Sequence, residues 1–141
     1  MIKLIIGNKG SGKTKKLIDL VNSCVENSDG NVVCIEKEPK LTYDISSKAR
    51  LLETDTYAIN GHKAFYGFLA GICAGNYDVT DVLVDATFKI VGREFEKLPQ
   101  FFDMLSNLSE ASDVDFYFTI SCDKEDLPVE IFDYCEEEPH N

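Results

Sequence analysis

The stretch Gly7-x-x-x-x-Gly12-Lys13-Thr14 leaves this chain the fewest alternatives. An apolar run at residues 2–6 precedes it. The segment that follows, 15–26, carries apolar residues at Leu17, Ile18, Val21, Cys24 and Val25. That spacing is the stripe of a half-buried helix, and the run before the loop reads as a buried strand. Gly7, Gly10 and Gly12 can take backbone angles closed to other residues and leave no Cβ between the amides and a ligand. The N–H groups of the loop (Gly7, Asn8, Lys9, Gly10, Ser11, Gly12, Lys13, Thr14) then curl into an anion-binding nest, aligned with the positive end of the following helix. A bland turn between strand and helix is the alternative. The strand before and the helix after are, however, the context that a phosphate-binding loop of this pattern requires. In that reading Lys13 sets a point charge on the β- and γ-phosphates, and the Thr14 hydroxyl ligates Mg²⁺.

A second signal comes at residues 81–86, Asp-Val-Leu-Val-Asp-Ala, where β-formers lead into Asp85. The run fits a central parallel strand ending in a carboxylate. An ordinary acid at a strand end would look the same, so the segment gains meaning from the loop before it. With both motifs in hand, the chain resembles the P-loop NTPase superfamily, and residues 81–85 its Walker B strand. The resemblance implies bound ATP and Mg²⁺, with Asp85 holding the metal through a water opposite Thr14.

Strands at 31–35, 50–53 and 115–121 alternate with helices at 62–75, 100–110 and 127–134, the last one short. Residues 42–48 are ambiguous and suggest a single helical turn. Thr87 to Gly92 runs on into 93–98 without a clear element, and Pro99 suits the first position of the helix after it. Alternation of this kind predicts an α/β class, a three-layer α/β/α sandwich around a mostly parallel sheet, in one domain over residues 1–141 with an acidic, frayed tail from about 136. Ligands of such sheets bind outside the carboxyl ends of the strands. The 7–14 loop, Glu36, Asp85 and Ser121 all fall there. Within 62–75, Phe65, Phe68, Leu69, Ile72 and Cys73 form a core stripe. Gly67, Ala70, Gly71, Ala74 and Gly75 form a second, small one. Glycine in a helix costs about 1 kcal/mol relative to alanine, so these glycines predict close approach by another backbone, within the chain or across a subunit interface.

Charge and composition narrow the partners. Twenty-five acidic and 14 basic residues give a net charge of −11, a field that repels nucleic acid. The basic cluster Lys9, Lys13, Lys15 and Lys16 has the nucleotide's own phosphates as its simplest target. No apolar run approaches the roughly 18 residues of a membrane span, and glycine and lysine interrupt the apolar stretch after Ile6, so the chain reads as cytoplasmic with no membrane partner. Five cysteines without a C-x-x-C pair fit reduced, buried thiols better than disulfides or zinc.

For the chemistry, Ala86 occupies the position after Asp85 where relatives with an extra strand between the two motif strands often carry a water-polarising acid. Alanine cannot take a proton. Glu36 is the candidate substitute, since it ends a strand expected beside the 2–6 strand; a solvated loop glutamate is the competing reading. Thr119 and Ser121 are candidate sensors of the γ-phosphate. Arg50 and Arg93 are the only arginines, and neither lies in a recognisable finger context, which predicts slow turnover unless a protein partner or a second subunit supplies one. Asp123-Lys124-Glu125-Asp126 imitates the guanine-reading N-K-x-D, but it lacks the asparagine, and Phe88 replaces the glycine of D-x-x-G; adenine is favoured over guanine. A small nucleotide kinase is disfavoured by the arginine shortage and the lack of a lid insertion. Overall, the sequence is similar to small stand-alone P-loop proteins of Gram-positive anaerobes, some of them labelled pilus-retraction (twitching-motility) ATPases. That likeness implies the fold and nucleotide binding; the motor class proper is larger and carries motifs absent here. The expectation is a Mg-ATP-binding protein with slow or partner-stimulated ATPase activity, or else a non-catalytic module whose binding surface responds to nucleotide.

Overall fold

A computed structural model describes residues 1–135; the acidic tail expected from about 136 lies outside them. Five strands, β1 (Ile2–Gly7), β2 (Asn31–Glu36), β3 (Arg50–Glu53), β4 (Val79–Val84) and β5 (Asp115–Ser121), form one sheet in the order β1-β5-β4-β2-β3. Every pairing is parallel. Helices α1 (Lys13–Asn27), α2 (His62–Gly75), α3 (Thr87–Val91) and α4 (Leu98–Ser112) connect them.

Strand side chains alternate between two apolar cores, as the period-2 pleat demands. Leu4, Val33, Ile35, Val82, Val84, Phe116 and Phe118 face a core completed by Phe65 and Leu69 of α2 and by Phe101, Phe102 and Leu105 of α4. Ile5, Val32, Cys34, Leu83 and Tyr117 point the other way, onto Leu17 and Val21 of α1 and onto Leu41, Ile45 and Ala49. The molecule is therefore α/β, with an all-parallel sheet buried on both faces, and its strands read as continuous apolar runs for that reason.

Several expectations need correction. The strand ending in Glu36 does not adjoin β1: β5 and β4 stand between them. α1 starts two residues earlier than expected, at Lys13, because Gly12 takes a left-handed φ of 89° and turns the chain directly into the helix. Residues 87–91 are helical despite their β-forming Thr, Phe, Ile and Val, since the turn buries Phe88, Ile90 and Val91; tertiary burial outweighs local preference. The final helix is a 3-10 segment, Val129–Tyr134. Residues 42–48 hold the expected turn, with the Asp44 and Ile45 amides donating to the Leu41 carbonyl, and a second turn follows it, closed by the Ala49 amide on the Ser46 carbonyl. Among the described residues of this one chain, Gly67, Gly71 and Gly75 meet no other backbone, against the expectation of close packing within the chain: a Cβ on any of them would point into open space. Among the described residues no helix is long and apolar enough to cross a membrane.

Candidate functional site

The carboxyl ends of β1, β5, β4 and β2 open into one cavity of about 840 Å³. Its first wall is the 7–14 loop. A Cβ on Gly7 would lie 2.5 Å from Ser11 Oγ and 3.1 Å from its Cβ, so a larger residue there would displace the Ser11 side chain. Gly10 and Gly12 hold left-handed φ of 85° and 89°. The Ser11 amide donates to the Asn8 carbonyl at 3.1 Å, and Lys13 Nζ donates to that same oxygen at 3.0 Å, so the lysine lies back along its own loop. Asn8 Nδ2 donates to Asp123 Oδ1 at 2.9 Å, which ties the loop to the turn after β5.

At the floor stands Asp85, just past the end of β4. Thr14 Oγ1, at the start of α1, lies 3.3 Å from each Asp85 carboxylate oxygen. Thr119 on β5 donates its hydroxyl to Asp85 Oδ1 at 2.7 Å and accepts the Ala86 amide at 2.7 Å. The one proton of that hydroxyl thus goes to the carboxylate, and Ala86, whose amide it accepts, sits at a left-handed φ of 53°. Thr119 and Ser121 both line the cavity, but Thr119 acts as a brace for Asp85, and the Ser121 carbonyl accepts Arg93 NH1 at 3.0 Å.

Glu36 also reaches the cavity wall, yet its carboxylate is occupied. One oxygen accepts the Lys40 amide at 3.0 Å and the other the Leu41 amide at 3.3 Å. Burial pushes its carboxyl pKa above the ordinary value despite those two donors. The residue closes the turn after β2.

Sequence reasoning missed the far wall. Arg93 stacks over the Phe88 ring at 4.8 Å and the Phe95 ring at 5.6 Å, an arrangement that holds a guanidinium rigid. Lys37, Lys40 and Lys89 join it. With Lys9, Lys13 and Lys15 the cavity gathers seven of the protein's fourteen basic residues against three of its twenty-five acidic ones. An acidic protein has concentrated its cations in one place. No motif marks the far wall, because Lys40 and Lys89 meet only through the pairing of β2 with β4.

The chain matches no protein-family model and has no significant match among curated proteins. Its chemistry rests on these residues. All five cysteines are free thiols. Burial raises their pKa, to about 12 at Cys34 and about 11 at Cys24 and Cys122, which leaves them poor nucleophiles.

Proposed function

We propose that this protein binds Mg-ATP in the cavity at the strand ends and turns it over slowly or on stimulation by a partner. The observation that carries the reading is the convergence of Lys13, Thr14 and Asp85, three residues predicted as one constellation, at the mouth of a glycine-built loop. Loop amides and Lys13 would cradle the phosphates. Thr14 Oγ1 and the Asp85 carboxylate offer hard oxygen donors side by side, the type magnesium takes, with Thr119 holding the carboxylate in place. Bound magnesium would neutralise charge on the phosphate oxygens. The sheet order supports the same reading, since β5 stands between the loop strand and the Asp85 strand, the insertion expected of the P-loop branch discussed above. Adenine is favoured because Asp123 and Asp126 spend their carboxylates capping their own 3-10 turn.

Arg93 lines the same cavity and would be this chain's own candidate for the cation otherwise expected from a partner. The water-activating base is harder to find: Ala86 carries no acid, and Glu36 is engaged by two backbone amides. That engagement favours slow hydrolysis, and it also supports a second reading, a module that responds to nucleotide without turning it over.

Thermal unfolding with Mg-ATP, with Mg-GTP and without nucleotide tests the site. Ligand at about a hundred times its dissociation constant adds roughly 2.7 kcal/mol, several degrees for a domain of this size. The expected outcome is a rise with Mg-ATP that Lys13→Ala abolishes. No rise with either nucleotide, in protein shown to be nucleotide-free, would overturn the proposal. Phosphate release that disappears in Lys13→Ala separates the enzyme from the module.

A further inference from the structure

The cations of the cavity fall into two groups. Lys9, Lys13 and Lys15 belong to the loop and α1 beyond β1; Lys40 and Lys89 follow β2 and β4, across the strand ends from it. One phosphate chain in the loop accounts for the first group and leaves the second without a counterpart.

The second group is built rather than accidental. The buried Glu36 carboxylate takes the Lys40 and Leu41 amides, and Leu41 is anchored in the core against α1. This fixes the backbone that carries Lys40. Lys89 is the exposed residue of α3, between the buried Phe88 and Ile90. These two frames place both lysines on the cavity wall that Arg93 shares, near enough for each ammonium to perturb the other. Lys37 has Asp55 at 2.9 Å, and Lys40 has the exposed Glu38 at 3.6 Å. Among the described residues no carboxylate pairs with Lys89. Two like charges this close repel one another, and a rigid backbone holds them together in a protein whose net charge is −11. Lys40 beside it keeps the Lys89 ammonium below the usual lysine range, and an anion seated between them would restore it.

We propose that Lys40 and Lys89 form a second oxyanion subsite in the cavity, made for a phosphate-class dianion. Arg93 on the same wall adds a planar fork suited to phosphate oxygens, and these three cations, less the Glu38 carboxylate that pairs with Lys40, match the charge of such an ion. The inference rests on the nucleotide reading for what fills the loop, not for the lysine pair itself. The dianion has two possible sources: the terminal phosphate of a nucleotide held in the loop, or a phosphate on a second molecule.

Calorimetric titration of the full chain distinguishes them, comparing wild type with Lys13→Ala and with the Lys40→Gln/Lys89→Gln double variant. The ligands are Mg-ADP, Mg-bound non-hydrolysable ATP analogue, and inorganic phosphate. Removing relieved like charges should not unfold the domain, and matched circular dichroism checks this. Loss of charge-assisted hydrogen bonds should weaken the affected ligand about tenfold or more. Weaker analogue with unchanged Mg-ADP in the double variant assigns the subsite to the nucleotide's terminal phosphate. Phosphate that binds analogue-saturated wild type, and fails to bind the double variant, assigns it to a second molecule. If no nucleotide binds at all, phosphate binding kept by Lys13→Ala and lost by the double variant still supports the subsite while the nucleotide reading falls. Affinities for all three ligands within about twofold of wild type in the double variant would overturn it.

Discussion

Thr119 shows how much one hydroxyl can organise. It donates to Asp85 and accepts from the Ala86 amide while almost fully buried. Thr119→Val keeps the shape and removes both bonds, leaving the Ala86 N–H without its acceptor and the carboxylate with only the longer Thr14 contacts to hold it. An unsatisfied buried group costs about 1–3 kcal/mol. The variant should unfold several degrees lower, and its response to Mg-ATP should shrink more than its response to metal-free ATP; scanning calorimetry reads both. At this scale the sequence was legible where placement follows from neighbours: a contiguous loop and a strand end were enough to put Lys13, Thr14 and Asp85 at one cavity. Thr119 was singled out for a different task, as a phosphate sensor, because nothing local says which way a hydroxyl on β5 will point. Arg93, Lys40 and Lys89 carried no local mark at all.

Among the elements, α2 divides its faces cleanly. Phe65, Leu69 and Cys73 are buried, while Gly67 and Gly71 lie outward with nothing within 4 Å of a would-be Cβ. The apolar period therefore predicted the helix to its ends, whereas the glycine stripe misled as to packing within the chain, because it lies on an exposed face. Gly71→Ala tests this: without strain or clash it should stabilise by about 0.5–1 kcal/mol through the unfolded chain's entropy, read as a higher urea midpoint. At the start of α2, His62 stands edge-on to Phe101 with both ring nitrogens buried and without a hydrogen-bond partner among the described residues. Burial lowers its pKa from 6.5, against the opposing pull of Glu94. The unfolded chain thus takes up a proton near pH 6.5 that the folded one resists, and the stability His62 contributes is lost as pH falls below that value. Urea midpoints of wild type and His62→Phe, compared from pH 7.5 to 5.5, should show wild type losing ground as the solution acidifies. A constant difference would mean the ring is free to protonate. α3 was illegible for the opposite reason to α2: four of its five residues favour strand, and only burial of Phe88, Ile90 and Val91 makes the turn.

On the scale of the whole molecule, the class of fold was legible and the order of strands was not. Every strand of a sheet covered on both faces is a similar apolar run, so nothing in β2 or β5 says which will lie nearer β1. Topology gave that place to β5, the last strand in the chain, with Ile2 opposite Phe116. Among the described residues, a bridge from Leu4 to Cys135 partly closes the outer edge of β1, which limits the row of unpaired backbone groups that invites pairing with other chains. The segregation of charge has a kinetic consequence. A polyanion nearing this molecule meets a repulsive body and an attractive mouth, two opposed fields that salt screens together beyond roughly 8 Å at physiological ionic strength. Raising ionic strength should therefore leave the rate of nucleotide arrival nearly level while residence shortens, and stopped-flow records with a fluorescent ATP analogue should place the salt dependence in dissociation. In such a protein the duration of each visit, rather than the frequency of visits, decides how often the cavity is filled.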